Sequence, residues 1–259
     1  SRERTKTRAQ CLSVNVEKEV WVCHHCGWSG SLIEKPQPGN YRHWDKPKYR
    51  KPIPRKTETP TEKALKYLTD RGITQAVIKR NQIGYGQVWM PQEEDFINAL
   101  CFPYFRDGEL INHKWRDGKK NFCLDAGCER IFYGLDDLDK TTIIVEGEID
   151  KLSLEVAGFT NCISVPNGAP AAKTSNYTSQ FEFIESDLER LETVEKYILA
   201  VDSDEAGKRL EYELARRLGR EKCVLVEWPQ GCKDANDVLK KHGAECIRNC
   251  LDVAQPYPI

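Results

Sequence analysis

Two short acidic runs carry the strongest chemical signal in this sequence. Glu146-Gly147-Glu148 directly follows the apolar run from Thr141 to Val145, and Asp202-Ser203-Asp204 directly follows the run from Tyr197 to Val201. A third acidic group, Lys233-Asp234-Ala235-Asn236-Asp237, comes after the run from Val224 to Glu227. Carboxylates crowded together repel, and a hard divalent cation or raised pKa values relieve the repulsion. Oxygen-only ligands that leave positions open for water and phosphate suit Mg2+, or Mn2+ in its place. Asp202 and Asp204 stand two positions apart, and a turn into the next helix can bring both toward one ion. Asp204 and Asp234 each also precede a helical stretch, and either alone can be read as an N-cap. Glu146, Asp202 and Asp204 together point to a metal site.

Ahead of these acids lies Lys114-Trp115-Arg116-Asp117-Gly118-Lys119-Lys120-Asn121-Phe122. Its cations Lys114, Arg116, Lys119 and Lys120 suit a triphosphate or a nucleic-acid backbone; a solvated hairpin face is the other reading. Near the start, Cys23-His24-His25-Cys26 forms a CxxC knuckle. Cys23 and Cys26 would supply two of the four ligands of a tetrahedral zinc site, to be completed by Cys11, a histidine or a second CxxC upstream of Ser1. Reduced, unliganded cysteines are the alternative. Trp21, Trp28, Trp44 and Trp115 are large enough to stack bases, although core packing is the commoner fate of tryptophan.

The elements that must position these groups follow from periodicity. Residues 11–28 read as a short hairpin running into the knuckle, and residues 35–60, rich in Pro, Lys and Arg, as a tether. Helical spacing over residues 61–71 and 74–78 predicts a helical pair, and residues 99–105 and 110–116 flank Arg106-Asp107-Gly108 as a β-hairpin. After Leu138 short buried-strand runs alternate with helical stretches around 149–157, 181–191, 206–218 and 235–241. That alternation predicts an α/β fold with a parallel sheet covered on both faces. In such a sheet chemistry gathers beyond the carboxyl ends of the strands, where the acids stand. The expected organisation is a partial zinc-ribbon-like segment (1–34), a basic linker (35–60), a smaller basic α+β subdomain (61–138) and the parallel-sheet domain (139–259). No internal repeat is apparent.

The 259 residues carry 39 Lys and Arg against 40 Asp and Glu, yet the balance is uneven. Residues 1–60 hold 13 basic and 6 acidic side chains, leaving 26 and 34 for the remainder. An acidic body behind a basic front end differs from a uniformly basic DNA-coating protein and suits a metal-dependent enzyme with a local phosphate-facing patch. No long uncharged apolar run exists to span a membrane. Eleven cysteines spread through a full-sized core suggest a reducing compartment, the cytoplasm or an organelle matrix. The start at Ser1, without Met or an apolar signal segment, is expected of a fragment.

Ile143-Ile144-Val145-Glu146-Gly147-Glu148-Ile149-Asp150 and Asp202-Ser203-Asp204-Glu205-Ala206-Gly207 resemble the two acidic motifs of the Toprim domain, shared by primases, topoisomerases of types IA and II and some nucleases. Within that group the sequence is most similar to the primase halves of phage and Twinkle-type primase-helicases. The stretch from Lys114 to Phe122 resembles their basic motif, Ser164 to Ala169 their loop after the second strand, and Lys233 to Asp237 their third acidic motif. The resemblance covers residues 61–259. It implies synthesis of RNA primers from ribonucleoside triphosphates on a single-stranded DNA template. Asp202 and Asp204 would bind metal, Glu146 would bind metal or move a proton, and Asp234 would support the site or a second ion. Lys114, Arg116, Lys119 and Lys120 would hold triphosphate or template. It also implies zinc if the ribbon is complete, and a helicase domain following Ile259 through which the whole protein forms a hexamer. A Toprim nuclease, and a silent half that only binds single-stranded DNA, are the competing readings. Only one CxxC of the family's zinc ribbon is present, and no GxxxxGK[ST] phosphate loop occurs.

Overall fold

The computed structural model describes residues 12–16, 20–23, 29–31, 49–53, 55, 57–172 and 177–258. The chain divides into two units, residues 1–48 and 49–259. In the first, β1 (Leu12–Asn15), β2 (Val20–Cys23) and β3 (Ser29–Ser31) form an antiparallel sheet in chain order. Cys23 closes β2, but its side chain, like Cys11, His24, His25 and Cys26, lies outside the described residues, and the zinc reading lies there with it.

The second unit begins with α1 (Glu62–Thr69) and α2 (Gln75–Arg80), whose N-caps Thr61 and Thr74 accept from the backbone N–H of Ala64 and Val77. An antiparallel sheet follows in the order β4 (Gly84–Met90), β5 (Asp95–Arg106), β6 (Glu109–Arg116) and β7 (Phe122–Leu124). The rest of the chain alternates: β8 (Thr141–Val145), α3 (Glu148–Val156), β9 (Cys162–Ser164), α4 (Tyr177–Gln180), α5 (Glu182–Ser186), α6 (Leu188–Glu192), β10 (Lys196–Leu199), α7 (Glu205–Leu218), β11 (Cys223–Leu225), α8 (Ala235–His242), α9 (Ala244–Asp252) and β12 (Gln255–Pro256). Strands β8 to β11 pair in parallel in the order β11-β10-β8-β9, and β12 closes the β11 edge antiparallel.

Both faces of this sheet are covered, as near-continuous apolar strands require. On one side Ile144, Ile163 and Leu199 join Leu68, Phe102 and Tyr104 in one core. On the other, Ile143, Val145 and Ala200 pack with Leu154, Val238 and Ile247. Packing is continuous across the expected boundary at residue 138. The start of α3 is fixed by Lys151, which is fully buried and donates to Asn81 Oδ1 and Asp137 Oδ2 at 2.8 Å each and to Glu155. Breaking such a buried, fully paired group costs about 3–5 kcal/mol.

Two expectations are corrected. Of the linker expected over residues 35–60, residues 35–48, 54 and 56 lie outside the described residues, and the described remainder does not behave as a tether: Arg50 N donates to Gly127 O at 2.8 Å, and Glu58 and Tyr85 exchange a pair of backbone hydrogen bonds. The edge of β4 offers backbone partners that a Pro- and Lys-rich composition does not reveal. The single helix expected over 181–191 is broken into α5 and α6. The break falls at Asp187, whose buried carboxylate is held by Arg106 at 2.9 Å.

Candidate metal centre

Strand β8 is where the parallel sheet changes direction. From β8 the chain crosses through α3 to β9 on one side, and it returns to lay β10 on the other. A crevice opens beyond the carboxyl ends of strands at such a switch point, because the connections leave it in opposite directions. Glu146 is the first residue after β8, and Asp202 lies three residues beyond the end of β10. The crevice is a cleft of about 390 Å³ lined by Glu146, Gly147, Glu148, Asp150, Gly168 and Asp202 on the parallel-sheet side. Lys114 and Phe122 line it from the antiparallel sheet.

Three carboxylates converge here: Asp150, Asp202 and Asp234 each bring an oxygen within 4.8 Å of the other two. Asp150 is the third residue of α3, with Gly147 as the N-cap, so its side chain returns toward the strand ends. Its Oδ1 accepts from Asn236 N at 3.1 Å, and Asn236 Nδ2 donates to Ser153 Oγ and Arg71 O at 2.9 Å each. Asp234 caps α8, accepting from Asp237 N at 2.7 Å. Ser203 N donates to Lys233 O at 2.9 Å and ties the two acidic loops together. Gly207 permits the closest approach, since a Cβ there would stand 1.9 Å from the Asp202 carbonyl oxygen.

Glu146 and Asp204 flank the triad differently. Glu146 Oε1 accepts from Ala169 N at 3.2 Å, while its Oε2 is buried with no hydrogen-bond partner. Asp204 caps α7: its Oδ1 accepts from Ala206 N and Gly207 N at 2.9 Å each. Its Oδ2 lies 3.1 Å from Lys233 Nζ. The N-cap reading of Asp204 and Asp234 is therefore observed alongside their place at the site.

The electrostatics are those of excess negative charge. Burial, then Asp234 and Asp202, pushes Asp150 well above the usual carboxylate range. Burial also raises Asp202, against the pull of Lys233. Glu146 is raised to about 7 by burial and then by Asp202. Asp204 is lowered, chiefly by the Gly207 N–H. An oxygen-only set with one buried, unpartnered carboxylate oxygen fits a hard divalent cation.

A pH dependence follows for the metal-free protein. Glu146 keeps its proton to about pH 7 when folded, against 4.5 for the free side chain. The folded state therefore holds the extra proton between these values, and stability falls as pH rises through that window. Glu146→Gln removes this contribution. The loss of stability between pH 5 and pH 8 should shrink by about 2 kcal/mol, allowing for the partial exposure of the side chain. Urea unfolding in chelator at the two pH values checks this; an unchanged difference contradicts it.

The basic residues separate. Lys114 reaches the cleft but is buried against Glu148, Nζ to Oε1 at 2.7 Å, and that oxygen also accepts from Tyr104 Oη at 2.6 Å. Arg116 is buried, its guanidinium 4.5 Å from the Tyr67 ring centroid, and does not line the cleft. Lys119 pairs with Glu93, and Lys120 sits exposed at φ 73° in a turn organised by Asp117, whose Oδ1 accepts from Lys119 N and Asn121 N. Neither lines the cleft. Trp115 is wholly in the core, with its Nε1 donating to Asp125 Oδ1 at 3.3 Å, and is closed to base stacking. Asp150 is the residue that sequence reasoning did not single out. The available signal was its third place in a helix whose N-cap, Gly147, has no side chain for a capping box.

Residues 143–239 match the Toprim-like family. The chain is 38% identical over 206 residues to a Twinkle homolog protein, chloroplastic/mitochondrial, of Arabidopsis thaliana, covering 74% of this chain and 28% of that protein. It is 37% identical over 206 residues to a primase homolog protein of the same plant, covering 74% and 59%. The crystal structure of the primase fragment of the bacteriophage T7 primase-helicase protein superposes with a TM-score of 0.58 at 21% identity, covering 90% of each chain. The chain thus spans between about a quarter and three fifths of the length of these two curated relatives.

Proposed function

We propose that this chain, whose residues 143–239 form a Toprim-like domain homologous to Twinkle and primase homologs, makes short RNA primers on single-stranded DNA by metal-dependent nucleotidyl transfer. The observation that carries the reading is the convergence of Asp150, Asp202 and Asp234 beside the unpartnered Oε2 of Glu146 at the sheet's switch point. A primer 3′-hydroxyl attacks the α-phosphorus of a ribonucleoside triphosphate, the bond to the β-phosphate breaks, and pyrophosphate leaves. Such a displacement depends on alignment and charge neutralisation more than on covalent catalysis.

Asp150, Asp202 and Asp234 would hold magnesium or manganese, with Glu146 and Asp204 at its margins. A bound divalent ion supplies neutralisation of the phosphate charge. Glu146, whose carboxyl group is held above the usual range in the metal-free protein by burial and by Asp202, would bind metal or take the hydroxyl proton. Lys114 faces the phosphates from the opposite wall, its charge shared with Glu148. Lys119 and Lys120 lie in the turn after the same strand, where they suit the template backbone, whereas Arg116, buried against Tyr67, would support that strand instead of touching the template. The name of the T7 relative, a primase-helicase protein, suits a helicase domain joined to this half in the whole protein, and the proposal places that domain C-terminal with hexamer formation through it. Among the described residues no helix is long and apolar enough to cross a membrane. The organelle relative supports a site of action wherever DNA is replicated, an organelle matrix included.

The test is incubation of the whole chain with single-stranded DNA, ribonucleotides and magnesium. Short RNA products support a primase; DNA cutting supports a Toprim nuclease; retention of DNA with neither product supports a silent binding half. Within that assay Lys114→Met is expected to raise the KM for ribonucleotide about tenfold, the order of one charge-assisted hydrogen bond. An unchanged KM removes Lys114 from the site.

A further inference from the structure

The paired aspartates already have a cation beside them. Lys233 Nζ donates to Asp202 Oδ2 at 2.7 Å and lies 3.1 Å from Asp204 Oδ2, with its side chain 49% exposed. Its main chain is anchored independently of the ammonium group: the N–H donates to Asp237 Oδ2 at 3.2 Å, and the carbonyl accepts from Ser203 N at 2.9 Å. The four-carbon stem can therefore swing while its origin stays fixed. Asp202 belongs to the converging triad, and its Oδ2 is the atom Lys233 engages. A magnesium ligand oxygen must stand about 2.0–2.1 Å from the ion. An ammonium and a divalent cation that close to one carboxylate oxygen would repel strongly.

We propose that Lys233 is the resident counter-ion of Asp202 and Asp204, and that a divalent cation must displace its ammonium group to bind. Lys233 thereby sets the threshold of metal affinity and keeps the acidic loops together without metal. The proposal rests on the metal-centre reading above and adds a residue to which that reading gives no role. Removing the competing charge while keeping the stem should tighten metal binding, because the ion then meets unpaired carboxylates. For a half-exposed ion pair the expected gain is about five- to tenfold.

The test is titration of the whole chain with Mn2+, followed by the electron paramagnetic resonance signal of the free ion, for the wild type, Lys233→Met, Lys233→Arg and Asp202→Asn. The expected result is about five- to tenfold tighter binding in Lys233→Met, near-wild-type binding in Lys233→Arg, and loss of the site in Asp202→Asn. Metal-free Lys233→Met should also melt below the wild type and recover with Mn2+. Unchanged or weaker binding in Lys233→Met, with the site still lost in Asp202→Asn, overturns the counter-ion role and leaves the metal centre standing. An Asp202→Asn variant that binds Mn2+ like the wild type overturns both.

Discussion

Asp150→Asn and Asp202→Asn, made separately, are each expected to lower magnesium-dependent primer synthesis about a thousandfold or more without unfolding the protein. Each removes one of three carboxylates that meet within 4.8 Å. Each preserves side-chain volume, and in Asp150→Asn the amide oxygen still offers an acceptor to the Asn236 N–H. Burial holds both acids above the ordinary carboxylate range, so the metal-free fold should tolerate or gain from loss of the charge. Under the proposed function, stabilisation of the transferring nucleotidyl group would depend on the ion these acids would hold, and a thousandfold corresponds to about 4 kcal/mol. The measurement is single-turnover incorporation of ribonucleotide, with circular dichroism and thermal melting on the same samples. A folded variant with undiminished incorporation contradicts the assignment of that residue.

The second large effect is structural in origin. Gly207 lies in the first turn of α7, where a Cβ would stand 1.9 Å from the Asp202 carbonyl oxygen and 2.7 Å from its carbonyl carbon. No side chain can yield there, since the obstruction is backbone, so either α7 or the Asp202 loop must move. Gly207→Ala is expected to destabilise the fold by about 3 kcal/mol, at the upper end of overpacking costs. Its mark is a coupled loss of Mn2+ affinity, because the displaced strand end carries Asp202, a proposed metal ligand. Urea midpoints and Mn2+ titration of one preparation check both; full stability with full affinity contradicts the close approach.

Much of this architecture was legible from residue patterns. The runs before Glu146 and Asp202 are strands because they are short, branched and apolar, and their burial on both faces explains why they do not alternate. The expected helices over 61–71, 206–218 and 235–241 are present, with Thr61, Asp204 and Asp234 as caps. The direction change at β8 was not legible, since strand order is fixed by which sheet edge each crossover reaches and not by the strands' own residues. Asp150 escaped for the same reason: it joins the site through tertiary packing of α3, held by Asn236 and Lys151. Lys119 and Lys120 read as part of a basic motif, yet Asp117 gathers their backbone into a turn away from the cleft. α9, which packs against α8, was not expected, because Ala244 to Asp252 mixes charged and apolar residues over little more than two turns.

The account depends on one ion-binding geometry, and diffraction can observe it directly. Crystals of the chain soaked in Mn2+ should show an anomalous peak at the mouth of β8 and β10, within coordination distance of Asp150, Asp202 and Asp234. In the same map Lys233 Nζ should have withdrawn from Asp202 Oδ2. An anomalous map with no peak among those three carboxylates, at Mn2+ concentrations that support synthesis, would contradict the account.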